Sequence, residues 1–433
     1  VSAERPGIEG DRHAWARRDA EVVWHGFTQM SAYAENEPVM VEAAEGRELI
    51  DVDGSRYLDA ISSLWVNTLG HRVPELDDAI REQLDRVAHS TMLGNGNRVV
   101  VELAEALARV VPVDRPHFLF AGDGATAVEQ ALKIAFQSFV NRGIEGRTGF
   151  CALAGAYHGD TIGALSLGDR SFGTSLFEPL LFPVERAASL PDATAIVQER
   201  GASLAAMVVE PLVQGAAGMV LHEPGALRDL AVACREEGVL LVADEIATGF
   251  GRTGTLFACE QAGVRPDLMA LGKGLTGGYL AMSATVVTED VYQAFLGPDL
   301  GDRTLYHGHS YGGNALAAAV ALRHLEVLER GNVLANVRSR SAQLDAGLRA
   351  KVGPHPAVKE VRLVGLMCGV ELAPPPDVVR WGRRVAAAAV RRGVLLRPIG
   401  DTVILMPILT STAAEIDRIV DVLAACIEEV CGG

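Results

Sequence analysis

The sequence predicts an α/β protein: a large domain on a mostly parallel, doubly wound sheet, plus a smaller α+β domain. Three observations carry this. At 433 residues the chain is too long for one small core. Between about 115 and 285, short uninterrupted Val/Leu/Ala runs alternate with helical segments, as strands do when helices cover both faces of their sheet. Beyond about 330, strands and helices no longer keep that rhythm.

Residues 1 to about 20 read as a loose or lightly packed extension. "PVMVEAAEGRELIDVDGSRYLDAISSLW" reads as short strands with a turn at Asp53-Gly54. "PELDDAIREQLDRVAHS" and "RVVVELAEALARVV" carry apolar residues at helical spacing. "HFLFAG" is a strand, followed by the helix "ATAVEQALKIAFQSFVNRG"; "SLAAMVVEPL", a helix near 225–237, "GVLLVADEIATGF" and "DLMALGKG" continue the alternation. A long helix near 313–330 leads out of this region. The α+β tail then comprises "HPAVKEVRLVGLMCGVEL", a helix near 378–392, "GVLLRPIGDTVILMPIL" and a final helix from about 412. The expected division is a segment 1–65 contributing to the smaller domain, a large domain 66–328 and a smaller domain 329–433. There is no internal repeat and no low-complexity tract.

Hydrophobic residues make up 49% of the chain and charged residues 22%, a globular profile. Against 55 acidic residues stand 39 basic ones, a formal net charge of -16 that repels phosphate backbones and anionic lipids. Neither nucleic acid nor a membrane surface is therefore an expected partner. The six cysteines form no Cys-x-x-Cys pair and no zinc-like spacing, so reduced structural cysteines and no metal site are expected. "VSAERPGIEGDRHAWARRDAEVV" has no apolar signal core, and no run approaches the ~20 apolar residues of a membrane span. A cytoplasmic location is the expectation.

Three runs in the central region end in charge: "AAMVVE" at Glu210, "VLLVA" at Asp244-Glu245 and "LMALG" at Lys273. Ligands of doubly wound sheets sit beyond the C-terminal strand ends. One such residue is as readily a solvated surface charge as a site residue; three in neighbouring strands, one a glycine-flanked lysine, favour a site. A lysine in a cleft binds phosphate or forms a Schiff base. No G-x-x-x-x-G-K-[ST] loop is present, and no G-x-G-x-x-G follows the early strand. The Schiff-base role needs an aldehyde cofactor. Pyridoxal 5'-phosphate (PLP) fits: its pyridinium pairs with an aspartate, which Asp244 supplies. Its phosphate takes a helix N-terminus, which the turn "AGDGATAVE" supplies.

"VVEPLVQGAAGM", "LLVADEIATGFGRTG", "DLMALGKGLTGGYL", "AYHGDTIGALS" and "HGHSYGGNALA" together resemble class III aminotransferases of PLP fold type I, over about 24–428. The resemblance implies that Lys273 carries the cofactor as a Schiff base and then moves the substrate proton. It also implies that Asp244 pairs with the pyridine nitrogen and that Tyr157 stacks on the ring. Gly124 and Ala125 would hold the phosphate, joined by Ser310 of a neighbouring subunit, so a homodimer with active sites at the subunit interface is implied. Glu210 is either near the cofactor or a structural hydrogen-bonding carboxylate.

Within the family, "FTQM", "SSLWVNTLGHRVPELDDAI", "AHSTMLG", "FGRTGTLFACE" and "LLRPIG" resemble the branch that moves an amino group onto the ketone of 8-amino-7-oxononanoate in biotin biosynthesis. Arg397 then matches the arginine that holds the acceptor's carboxylate, a fixed anion anchor for an otherwise apolar acid. Its other reading is an ordinary surface arginine. Trp65 and Phe27 fit the apolar wall, or plain core, and Gly308 falls in the same substrate-binding set. The runner-up is another ω-aminotransferase acting on a diamine or ω-amino acid. A racemase or aminomutase on the same fold would show no net amino transfer. A catalytically dead scaffold is opposed by the intact Lys273 and Asp244.

Two stretches depart from the family pattern. The phosphate turn, usually Ser-Gly-Ser or Ser-Gly-Thr, is Asp123-Gly124-Ala125. It lacks a hydroxyl and adds a charge, so weaker cofactor affinity is expected, with Asp123 turned away as an N-cap. Members using S-adenosylmethionine as donor commonly read Ser-Ser-Trp-Trp where this chain has Ser62-Ser63-Leu64-Trp65, and they differ again at His25-Gly26-Phe27 and His307-Gly308-His309-Ser310. These stretches lie nearer the lysine-using branch.

Overall fold

The computed structural model describes residues 11–169, 174–375 and 380–432. Residues 1–10 of the expected extension and 378–379 of an expected helix lie outside the described residues. The centre is a seven-stranded sheet whose spatial order is 117–121, 283–287, 268–271, 240–244, 204–209, 149–153, 185–187. All neighbours pair in parallel except Ser283–Val287, which runs antiparallel to both of its neighbours.

Side-chain alternation explains why the strands are apolar throughout. Along Leu204–Val209 and Leu240–Asp244, Met207, Val209 and Leu241 pack with the helices Leu190–Arg200 and Pro224–Glu237. Ala206, Val208, Leu240 and Val242 pack on the opposite face with Ala127, Val128 and Ala131 of the helix Gly124–Asn141. Each fully buried Val or Leu contributes about 1.5–3 kcal/mol. A polar residue is tolerated only where such a strand stops, and that is where the site residues fall.

The strands Val41–Glu45, Glu48–Asp51 and Arg56–Asp59 form a second sheet, completed by Val394–Leu395 in parallel with Leu58–Asp59. Gly54 turns with φ +81, and Asp51 Oδ1 accepts from the amides of Asp53 and Ser55 on either side of it. Val358–Val364, Met367–Leu372, Thr402–Leu405 and Arg397–Ile399 make the third, antiparallel sheet, which the helices Val333–Lys351 and Ala413–Cys431 accompany.

Part of the expected extension is regular: Arg12–Val22 is a helix whose N-cap, Asp11, accepts from the Ala14 amide. Only Ala16 of this helix is buried, so it is lightly packed but not loose. No helix among the described residues is long and apolar enough to cross a membrane, and no cluster of His, Cys, Asp and Glu among them is arranged to hold a metal.

Candidate active site

Lys273 follows the strand Leu268–Leu271 after one glycine and adopts φ +38, in the left-handed region. The turn throws its side chain across the ends of the neighbouring strands, into a cleft of about 480 Å³. That cleft is shared with Asp244, Glu210, Tyr157, Trp65 and the turn 123–125. Lys273 Nζ lies 5.1 Å from the Trp65 ring centroid. Burial pushes the amine below the usual lysine range, against an opposing pull from Asp244 and Glu210. Among the described residues none makes a hydrogen bond to it.

Asp244 ends its strand and is 4% exposed. Its Oδ1 accepts from the Ile246 amide at 3.0 Å, and its Oδ2 lies 2.7 Å from His158 Nδ1. His158 is buried, with no partner on Nε2 among the described residues. Reading "YHGD" for its tyrosine alone passes over this histidine; a buried strand-end carboxylate in need of a second partner is the signal that finds it.

Glu210 has both oxygens occupied, accepting from the Tyr157 amide at 3.2 Å and the Gly215 amide at 3.0 Å. Burial pushes its pKa up to about 7. It therefore lines the cleft as a hydrogen-bonding strut, which favours the structural reading. Glu245, next to Asp244, is fully buried away from the cleft, bound to the Cys259 amide and the Thr248 hydroxyl. The Tyr157 hydroxyl donates to Asp160 at 2.8 Å, which fixes the ring's attitude at the mouth of the cleft.

The Gly124–Asn141 helix points its N-terminus at the cleft, and the amides of Gly124 and Ala125 have no protein acceptor among the described residues. Asp123 caps the helix as expected, taking the Thr126 amide at 2.9 Å and the Thr126 hydroxyl at 2.8 Å. Gly159 packs onto the turn; a Cβ there would come 2.5 Å from Ala125 Cβ.

The remaining expected residues lie apart from this cleft. Arg397 is exposed and lines a second cleft of about 810 Å³ with Tyr57, Ile61 and Arg383. Phe27 is 69% exposed, at φ +54. Ser310 offers its carbonyl to His89, and Gly308 sits so close to Leu93 that a Cβ would come within 2.8 Å of it.

A half-buried lysine, a hydrogen-bonded aspartate on the adjacent strand and an open helix N-terminus converging on one cleft define a PLP-type enzyme site. The aminotransferase class-III family matches residues 30–427. The chain belongs to that family; it is an aminotransferase, and its cofactor is PLP. It is 46% identical to the adenosylmethionine-8-amino-7-oxononanoate aminotransferase of Nitratidesulfovibrio vulgaris, over 94% of this chain and 80% of that protein. To the protein of the same name from Anoxybacillus flavithermus it is 39% identical, over 96% of each chain. The crystal structure of adenosylmethionine-8-amino-7-oxononanoate aminotransferase from Methanocaldococcus jannaschii superposes with a TM-score of 0.94 at 38% identity, covering 97% of this chain and 100% of that one. An omega transaminase from Pseudomonas jessenii in complex with PMP gives 0.88 at 26% identity, over 96% and 98%.

The residues fit the cofactor. Two free amides at a helix N-terminus await a phosphate. A buried carboxylate backed by a histidine shares that cleft, and among the described residues no carboxylate hydrogen-bonds to the amine.

Proposed function

We propose that this chain transfers an amino group to the ketone of 8-amino-7-oxononanoate, the biotin-pathway step that gives 7,8-diaminononanoate. The observation that carries the reading is the single cleft holding Lys273, Asp244 and the Gly124–Ala125 amides, in a chain similar over nearly its whole length to proteins named for this acceptor. When bound, PLP supplies an aldehyde carbon that takes up an amino group and a ring that accommodates negative charge.

The chain's own residues do the rest. Asp244, held by His158 and the Ile246 amide, keeps a carboxylate where a ring N–H is to be held in its protonated state. Lys273, its basicity lowered by burial, takes the proton from the donor's amine-bearing carbon and later delivers one to the acceptor. Tyr157 covers one face of the ring. The amides of Gly124 and Ala125 orient the phosphate. Trp65 shields the amine and walls the apolar slot, while Phe27, exposed and apart from the cleft, has no such place within the single chain. Arg397 anchors the acceptor carboxylate. Ser310 acts across a homodimer interface, completing the phosphate site of the neighbouring subunit, and Gly308 belongs to the substrate-binding set. The cytoplasm is the matching location.

Two amino donors suit this reading: S-adenosylmethionine, which the relatives' names carry, and L-lysine, which the loss of an aromatic wall at Leu64 favours. Visible absorption of the PLP-loaded protein tests function and donor together. The cofactor band is expected to bleach with one donor and return on adding 8-amino-7-oxononanoate. A band that bleaches with neither donor moves the reading to another ω-aminotransferase acting on a diamine or ω-amino acid.

A further inference from the structure

The turn that carries Lys273 rests on a polar contact that the chemistry above does not use. Lys273 holds φ +38, which a side chain-bearing residue keeps only when its surroundings enforce it. The three glycines that follow bring the backbone down onto those surroundings. A Cβ on Gly277 would come 3.1 Å from His324 Cδ2 and 3.2 Å from Thr68 Oγ1. On Gly274 it would come 3.3 Å from Thr68 Cγ2, and on Gly278 2.9 Å from the Asn67 Cα. Beneath the turn, Thr68 Oγ1 and His324 Nε2 are 2.6 Å apart, with Thr68 2% exposed and His324 wholly buried.

Each member of this pair arrives from a different part of the chain. Thr68 lies three residues after Trp65, the ring that faces the lysine amine. His324 comes from the middle of the helix Ala315–Arg330, which packs against the helices Pro74–Leu84 and Arg98–Ala108. One hydrogen bond therefore ties the tryptophan segment to a rigid helix layer, with the lysine turn seated on the joint. Burial keeps the imidazole neutral, pushing its pKa down to about 3 against a pull from the Leu275 carbonyl.

We propose that Thr68 and His324 are a positioning pair whose hydrogen bond holds the Lys273 turn at its height beneath the cleft, and so sets where the lysine amine sits. The inference rests on the role given to Lys273 above.

The test compares Thr68→Val, His324→Leu, the double variant and His324→Gln, the last keeping a polar group near the place of Nε2. Hydrogen exchange in the cofactor-free protein reads the turn directly, through the Leu275 and Gly277 amides bonded to Gly272 and Gly274. These amides are expected to exchange about tenfold faster in Thr68→Val and His324→Leu, with the helix Ala315–Arg330 unchanged. In the loaded enzyme kcat falls roughly 5- to 30-fold while the acceptor KM stays within about twofold. The double variant is no worse than the worse single, and His324→Gln recovers most of the loss.

The proposal is overturned if folded Thr68→Val exchanges and turns over like the parent, or if faster exchange is spread evenly over the chain. Should His324→Leu fail to fold, the near-isosteric Thr68→Val decides alone. Should the parent show no transamination while the exchange pattern holds, the functional reading fails and the positioning of the turn stands.

Discussion

Asp123 commits both carboxylate oxygens to Thr126, one to its amide and one to its hydroxyl. The Thr126 hydroxyl is therefore engaged as a donor, and the phosphate is left to backbone amides beside a negative charge. Asp123→Asn keeps the cap and removes that charge. PLP affinity is expected to rise severalfold with the melting temperature nearly unchanged, since a like charge near the anion is lost. Asp123→Ala also removes the charge but costs about 1 kcal/mol of stability. Cofactor titration beside thermal melts separates the two; equal affinity in all three proteins would show that Asp123 does not face the phosphate.

Ala125→Ser supplies the hydroxyl that the turn lacks. One charge-assisted hydrogen bond tightens PLP by about tenfold, read by equilibrium dialysis; no change would mean that the amides already saturate the phosphate. Gly159→Ala runs the other way. Its Cβ meets Ala125, and its φ of +130 suits only glycine. Loss of PLP together with a lower melting temperature is expected.

Lys273→Ala should abolish transamination, by about 10²–10⁴-fold for proton transfer alone, with circular dichroism unchanged. Retained turnover would remove Lys273 from the mechanism. His158→Leu strips one partner from the Asp244 carboxylate and is expected to lower kcat by about tenfold to hundredfold, with acceptor KM little altered.

Arg397→Ala should raise the acceptor KM by about tenfold or more with a smaller effect on kcat, because it removes binding shared by ground and transition states. The donor half-reaction, followed by absorption alone, should be untouched. An unchanged acceptor KM would return Arg397 to the surface.

His324 gives a pH signature. Its pKa is depressed from 6.5 to about 3 in the folded chain, so the unfolded chain binds the extra proton first. Its contribution to stability is present above 6.5 and is lost as pH falls from there toward 3. Between pH 7 and pH 5 the parent should lose about 2 kcal/mol that His324→Gln does not lose. Urea unfolding of the cofactor-free proteins at both pH values measures the difference; parallel losses would place a charged His324 in the native state.

The strand ends were legible because burial on both faces leaves no other place for charge in runs such as Leu204–Val209 and Leu240–Asp244. The Asp123 cap was legible from local chemistry. Direction was not: Ser283–Val287 is as fully buried as the parallel strands Leu204–Val209 and Leu240–Asp244 of the sheet, and nothing in its composition marks it as antiparallel. Arg12–Val22 hid because it buries one residue and shows no apolar stripe. Nothing in the alanine-rich helix Ala315–Arg330 sets His324 apart by sequence. Its partner Thr68 lies 256 positions away, and only the folded chain brings the two together. Arg397 and Ser310 fall outside the cleft that holds Lys273, and no local sequence signal fixes their distance from it.

The parallel pairing of Leu58–Asp59 with Val394–Leu395 has a kinetic side. During synthesis at about 5–20 residues per second, the strand Arg56–Asp59 waits on the order of tens of seconds for its neighbour to leave the ribosome. Throughout that interval its outer backbone groups and the side chains of Tyr57 and Leu58 form an open edge able to recruit another chain. Closing a loop of this length belongs to the slow, non-local part of folding. Until Val394–Leu395 arrives, the edge at Arg56–Asp59 is therefore the part of this sheet that lacks its last partner.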